Sequence, residues 1–271
     1  SISNTRFDSL VLAGDLKQQL CTDIEKWLGA RETYHRYGIP WKRGMIFAGD
    51  PGNGKTHAVK AIANQYDLRV LYVRNFTSRS DYDEGNISEV FDKAREMAPC
   101  LLVLEDLDTL VTPQNRSYFL NQMDGFASND GILTIGTANN PEKLDPALSE
   151  RPSRFDRRYF FERPAASERE RYLRLFTSSL EPSLQLGDAS SKIAEATDGF
   201  SFTYLKELVL SGMMDWISDD VQSAFADSVL RQVPNLAAQM RSEPVEEPSN
   251  EDGDELPRRP RRRRNRPHPS V

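Results

Sequence analysis

No run of apolar residues in this chain approaches the ~20 that a helix needs to cross a bilayer, so no segment reads as a membrane span. Cysteine is scarce. Cys21 and Cys100 stand alone in apolar surroundings, which excludes a disulfide framework and reads as two reduced thiols in a reducing compartment, with cytoplasm or nucleus ahead of the mitochondrion. Excess positive charge is also missing: the formal net charge is −6, which gives no global case for a nucleic-acid partner. Position 1 is Ser, not Met. The sequence therefore reads as a fragment or processed form, in which a targeting peptide or upstream domain would not show.

What is present supports a core. The 271 residues can hold one large domain, or a large and a small one. Hydrophobic residues make up 38% and charged residues 28%, so part of the chain must be solvated surface or disorder. Composition breaks near Met240. Beyond it come Ser242 to Pro248, an acidic patch to Glu255, and the arginine run Arg258 to Arg266, a stretch that cannot bury a core and reads as a disordered solubilising end. Its arginines could alternatively form a nuclear address or a polyanion-binding arm, which keeps a nucleic-acid contact open for this segment alone.

The centre of the sequence is Gly49-Asp50-Pro51-Gly52-Asn53-Gly54-Lys55-Thr56, placed after the apolar run Met45 to Ala48 and before His57 to Ala63. This is a P-loop. The glycines let backbone N–H groups turn inward beneath phosphate oxygens, and a helix beginning near Lys55 presents the positive end of its dipole to the same place. Lys55 is set to neutralise the β/γ charge and Thr56 to ligate Mg²⁺, with His57 in the helix's first turn counted among the nucleotide contacts. A Gly-rich turn that binds nothing is the bland alternative. Chance yields the eight-residue pattern in on the order of one such chain in a hundred, which favours nucleotide binding.

Periodicity fills in the frame. Leu10, Leu12, Leu16, Leu20, Ile24, Trp27 and Leu28 form a loose helical stripe, predicting a helix from Phe7 to Leu28. Tyr37 to Gly44 leads into the P-loop strand; a nucleotide base could lie against it, although packing is the more ordinary task for Trp41. Strands are predicted at Leu68–Val73, Leu101–Leu104, Ile132–Thr137 and Tyr159–Phe161, with helices around Ile87–Ala94, Tyr118–Met123 and Leu144–Leu148. Leu101 to Leu104 is apolar throughout, as a central parallel strand would be. It delivers Glu105 and Asp106 at its carboxyl end, where open α/β sheets place their chemistry. Neighbouring residues on a strand point opposite ways, so one acid can hold the metal's water shell beside Thr56 while the other polarises the attacking water. Asn139 closes the next strand and could hydrogen-bond the γ-phosphate, or simply make a turn. Past Pro164 the strands stop, and Tyr172–Phe176, Ile193–Ala196 and Leu205–Trp216 mark helices, the last with Ser201 as N-cap.

Taken together, the P-loop, the paired acids, Asn139, and Leu144-Asp145-Pro146-Ala147-Leu148 followed by Arg151-Pro152-Ser153-Arg154-Phe155-Asp156-Arg157 resemble an AAA family ATPase over roughly residues 7 to 216. Tyr37 to Gly44 and Asn121 to Phe126 are most similar to the branch containing a mitochondrial chaperone that translocates the Rieske iron–sulfur protein. The resemblance implies an α/β P-loop NTPase core with a parallel sheet flanked by helices at 1–162 and a small all-helical lid at 163–240; the composition adds the disordered tail at 241–271. It further implies ATP and Mg²⁺ as ligands, a homo-oligomeric ring of hexamer type, and a macromolecular substrate, most naturally protein. Lys55 and Thr56 would be P-loop ligands, Glu105 the metal-side acid, Asp106 the water-activating acid, and Asn139 the γ-phosphate sensor. Arg151 and Arg154 would be arginine fingers lent to the neighbouring site.

Four departures qualify that pattern. The acids run Glu105 then Asp106 where most of the family reads Asp then Glu, leaving the base one methylene shorter. Ser80 to Gly85 offers only Tyr82 where many relatives carry an aromatic–aliphatic–Gly trio that grips a threaded polypeptide. One extra residue separates Leu148 from Arg151, and Phe202 replaces a usually small residue after Ser201.

Overall fold

The computed structural model describes residues 5–76, 83–124, 128–149, 151, 153–218 and 223–242. The expected grip segment around Tyr82 and the arginine tail fall outside the described residues. Among those described, five strands build one sheet: β1 (Arg43–Ala48), β2 (Arg69–Val73), β3 (Cys100–Leu104), β4 (Ile132–Ala138) and β5 (Arg157–Phe160). Their order is β2-β3-β4-β1-β5 and every pairing is parallel. Ala48 stands opposite both Ala138 and Phe160, and Leu104 opposite Gly136. The register thus aligns the carboxyl ends of the strands along one rim, the place where a doubly wound sheet opens its ligand crevice.

Alternation along the strands divides the interior into two layers. Met45, Phe47, Leu101, Val103, Leu133 and Ile135 face α1 (Leu16–Gly29) and α3 (Lys55–Gln65), meeting Leu20, Ile24, Trp27 and Ile62. A short α2 (Arg31–Arg36) follows α1 at the surface. On the opposite face Ile46, Leu102, Leu104 and Ile132 pack on Phe91 of α4 (Asp83–Met97) and Phe119 of α6 (Arg116–Asp124). The one-turn helices α5 (Leu107–Leu110) and α7 (Pro146–Ser149) sit at the rim. A third cluster belongs to four helices after β5: α8 (Ala166–Thr177), α9 (Ala189–Ala196), α10 (Phe202–Ile217) and α11 (Phe225–Ser242). Ser201 caps α10, its hydroxyl accepting from the Tyr204 N–H at 3.4 Å, as expected.

Two sequence expectations need correcting. The first helix starts at Leu16, not Phe7; a 3-10 turn at Phe7–Ser9 and Gly14 at φ +55° break the stripe, and Leu10 to Leu12 cross as irregular chain. Val11 is thereby carried into the core of the helical cluster. The helix α11 was not anticipated. Its apolar residues Phe225, Val229 and Leu236 are buried, and Pro234 interrupts the pattern without ending the helix. Trp41 packs, as its ordinary task would have it: it stacks on Trp27 at 4.6 Å and 14°, and its Nε1 donates to the Trp27 carbonyl at 2.7 Å, an arrangement that binds the approach to β1 onto α1.

Candidate nucleotide site

At the carboxyl rim the chain leaves β1 and turns through the P-loop. Gly49 adopts φ +133°, and a Cβ there would lie 2.5 Å from the Phe161 carbonyl oxygen, so only glycine lets the loop lie against the end of β5. Asn53 reinforces this contact from the loop's far side, its Nδ2 donating to the same carbonyl at 3.2 Å. Gly52, at φ +84°, has no room for a side chain beneath Ser201 and Thr203. Its carbonyl accepts from the Thr203 N–H at 3.2 Å, which fixes the N-terminus of α10 over the loop.

Beside this loop lies a cavity of about 680 Å³. Pro51, Gly52, Gly54, Lys55, Thr56 and His57 line one end, with Glu105, Asp106, Thr137 and Asn139 across from them. Of the residues expected to meet nucleotide, Gly49, Asp50 and Asn53 do not line it. Gly49 and Asn53 work as braces against β5, while Asp50 turns outward to pair with Arg163 at 3.0 Å. The Lys55 ammonium donates to the carbonyls of Gly49 and Asp50. Burial holds its pKa below the usual lysine value, against the opposing pull of Asp106, Asp50 and Asp108. Partial burial, helped by the ammonium groups of Lys60 and Lys206, likewise lowers the pKa of His57.

The two acids diverge by a different device from the expected strand alternation. Both lie beyond β3, and Asp106 takes the left-handed conformation, φ +50° and ψ +57°, which is costly outside glycine and typical of functional turns. Glu105 is drawn to Arg74, Oε2 to Nε 3.0 Å. Asp106 faces the other way: its Oδ1 accepts from Asn139 Nδ2 at 2.8 Å, and its N–H donates to Thr137 Oγ1 at 3.0 Å. Burial and the nearby charges of Glu105 and Asp108 raise the Asp106 pKa above that of an ordinary carboxyl. Asp108 in turn accepts from the backbone and side chain of Asn140, joining the ends of β3 and β4.

The donor set suits Mg²⁺. Thr56 and Glu105 both line the cavity and offer a hydroxyl and a carboxylate, the hard oxygens this ion prefers. The far end of the cavity is different in character, lined by Leu10, Val11, Tyr172, Leu175, Phe176 and Phe202. Sequence reasoning missed most of these. Thr137, buried under Asp106, was legible only as one of two hydroxyls in a mostly apolar strand, and Arg74 as a charge just past β2.

The expected arginine fingers part company. Arg151 is exposed and does not line the cavity. Arg154 corrects the expectation, because its side chain is 7% exposed and pairs with Asp124 at 2.6 Å while also donating to the Ala147 carbonyl. A guanidinium so engaged braces its own chain.

Comparison with known proteins agrees with this geometry. Residues 45–163 match the family described as ATPase family associated with various cellular activities (AAA). The ATP-dependent zinc metalloprotease FtsH of Acidothermus cellulolyticus is 32% identical over 224 residues, covering 76% of this chain and 33% of that protein. The protein of the same name from Acaryochloris marina is 30% identical over 225 residues, covering 75% and 33%; that from Pirellula staleyi is 32% identical over 209 residues, covering 69% and 29%. The chain thus spans about a third of the length of these curated relatives, and the zinc and the protease in their name are theirs. With P-loop, paired acids and Asn139 gathered at one rim of a parallel sheet, residues 45–163 of this chain are an AAA domain.

Proposed function

We propose that the cavity binds ATP with Mg²⁺, that the chain hydrolyses it to ADP and phosphate, and that turnover drives remodelling or translocation of a protein substrate by a homo-oligomeric ring. The observation that carries the catalytic half is the pairing of Asp106 with Asn139 in the same cavity as Lys55 and Thr56. Backbone N–H groups of the P-loop and Lys55 hold the phosphates, Lys55 exchanging its carbonyl partners for phosphate oxygens. Asp106 accepts a proton from the water that attacks the γ-phosphorus as the bond to the bridging β–γ oxygen breaks, and the electron pair leaves with ADP. Asn139 donates to the γ-phosphate or orients that water. Thr56 and Glu105 would hold Mg²⁺, which would supply charge neutralisation when bound.

Protein as the substrate class is supported by the relatives' printed name, since an ATP-dependent protease acts on protein. A ring is supported by the exposed Arg151, which is not among the described residues that line the cavity. The free thiols Cys21 and Cys100 suit a reducing compartment. Steady-state phosphate release tests the catalytic reading: Lys55→Ala and Asp106→Asn lose turnover, by on the order of 10²-fold or more. Wild-type rates in Asp106→Asn would overturn the assignment.

A further inference from the structure

The mouth of the cavity carries positive charge that the described residues leave unanswered. His57 on α3 and Lys206 on α10 both line the cavity and are exposed, and Lys60 follows His57 by about one turn of α3. Among the described residues no carboxylate pairs with any of the three. Burial lowers the His57 pKa, and the two charges that add to the effect, Lys60 and Lys206, are both positive. A patch of one sign at the lip of a cleft draws the opposite charge toward it.

The chain itself supplies that charge. Glu243 to Glu255, a stretch beyond the described residues, holds seven carboxylates and no Lys or Arg in thirteen positions. Its point of departure is close to the P-loop. Near the end of α11, Met240 Cε lies 3.8 Å from where a Cβ on Gly199 would stand; the Gly199 carbonyl accepts from Arg163 Nη1 at 3.4 Å, and Arg163 pairs with Asp50 of the loop. Thirteen residues can span up to about 43 Å, more than the length of α10, about 24 Å for its 16 residues.

We propose that the acidic stretch Glu243 to Glu255 docks across the cavity mouth of its own chain, on Lys60 and Lys206, and must be displaced before a polyphosphate enters. The docking stands on charge and tether; its inhibitory consequence rests on the nucleotide reading above. A tether of this length sets an effective concentration on the order of millimolar, so ion pairs that are individually weak act together. The carboxylates and a triphosphate have the same sign and compete for one patch.

Calorimetry on the full chain tests this, with Mg²⁺ and two probes, ATP and inorganic tripolyphosphate. Neutralising the stretch with Glu246→Gln, Glu247→Gln, Glu251→Gln and Asp252→Asn is expected to tighten both about three- to tenfold at low ionic strength, and the gain should vanish at about 0.5 M salt. In a chain that also carries Lys60→Gln and Lys206→Gln, the neutralised stretch should give no gain. No gain in either background overturns the proposal, and so does an equal gain in both, which bulk repulsion would explain. A gain that grows with protein concentration assigns the acids to a second copy and overturns docking within the chain. A synthetic peptide of residues 242–257, titrated to millimolar concentration onto the neutralised chain, is expected to bind and to lose that binding with Lys60→Gln and Lys206→Gln; its failure to bind overturns the docking. Should neither ATP nor tripolyphosphate bind any of these chains, the nucleotide reading falls, and the peptide titration still decides the docking by itself.

Discussion

Asn139 Nδ2 donates to Asp106 Oδ1 at 2.8 Å, so the amide expected to sense the γ-phosphate holds the acid expected to activate water. The left-handed turn at Asp106 is what aims that carboxylate across from β3 to the end of β4. Removing the amide should therefore disturb chemistry more than binding. Asn139→Ala is expected to lower kcat on the order of 10²-fold with ATP affinity changed less than about threefold, read by single-turnover hydrolysis beside equilibrium titration. A loss confined to affinity would show that Asn139 acts on the ground state.

Turnover should also report the charge around Asp106. Its raised pKa means that the ionised carboxylate, the form able to accept a proton, disappears on acidification sooner than a free aspartate would. The acidic limb of the rate profile consequently lies at higher pH than a free aspartate would set it. Asp108→Asn removes one of the two neighbouring negative charges and should move that limb to lower pH, as followed by kcat/KM against pH.

The same shift has a stability consequence of opposite sense to the activity. Because the folded pKa lies above the unfolded one, ionised Asp106 destabilises the fold once pH exceeds the folded value. Asp106→Asn should accordingly raise Tm at neutral pH while abolishing turnover. Below the unfolded pKa both carboxyls are neutral, so the gain should vanish in acid. A Tm difference independent of pH would assign it to packing.

Arg151 and Arg154 are expected to separate cleanly. Arg154→Ala breaks a nearly buried pair with Asp124 and should destabilise the fold by about 2–3 kcal/mol in denaturant unfolding. Arg151→Ala, at an exposed position, should stay within about 0.5 kcal/mol of wild type. Its effect should instead fall on turnover of the assembled protein, by on the order of 10³-fold, and mixing with a Lys55→Ala, Arg151-intact chain should restore part of it.

Substituting Gly52 should uncouple loop and helix. An added Cβ would come within 2.8 Å of Ser201 Oγ at a φ that L-residues avoid. Gly52→Ala is expected to weaken both ATP and tripolyphosphate binding by about tenfold or more, the equivalent of the 1–3 kcal/mol that overpacking costs. Equal affinities in calorimetry would show that the helix yields freely.

How legible all this was in the sequence depends on distance along the chain. The P-loop and the acids declare themselves locally, since glycine spacing at 49–54 and an unbroken apolar run at 101–104 each have one economical explanation. The aromatic end does not. Leu10 and Tyr172 are brought together only by the break at Gly14 and the packing of α8 to α11, and no periodicity encodes such a meeting. Arg154 was misassigned for a related reason: a run of arginines looks uniform in sequence, while one of them has Asp124 within reach and its neighbour does not. Helix α11 carries Pro234 within it, and its buried Phe225, Val229 and Leu236 form a pattern that runs past that proline.

Arg163 closes a second link across the junction, reaching Asp50 with Nε and Nη2 and the Gly199 carbonyl with Nη1. Together with the Thr203 to Gly52 bond, it leaves little slack between the loop that grips phosphate and the four-helix cluster. The junction is therefore a stiff one: a displacement of the loop would be passed directly to the head of a 16-residue helix.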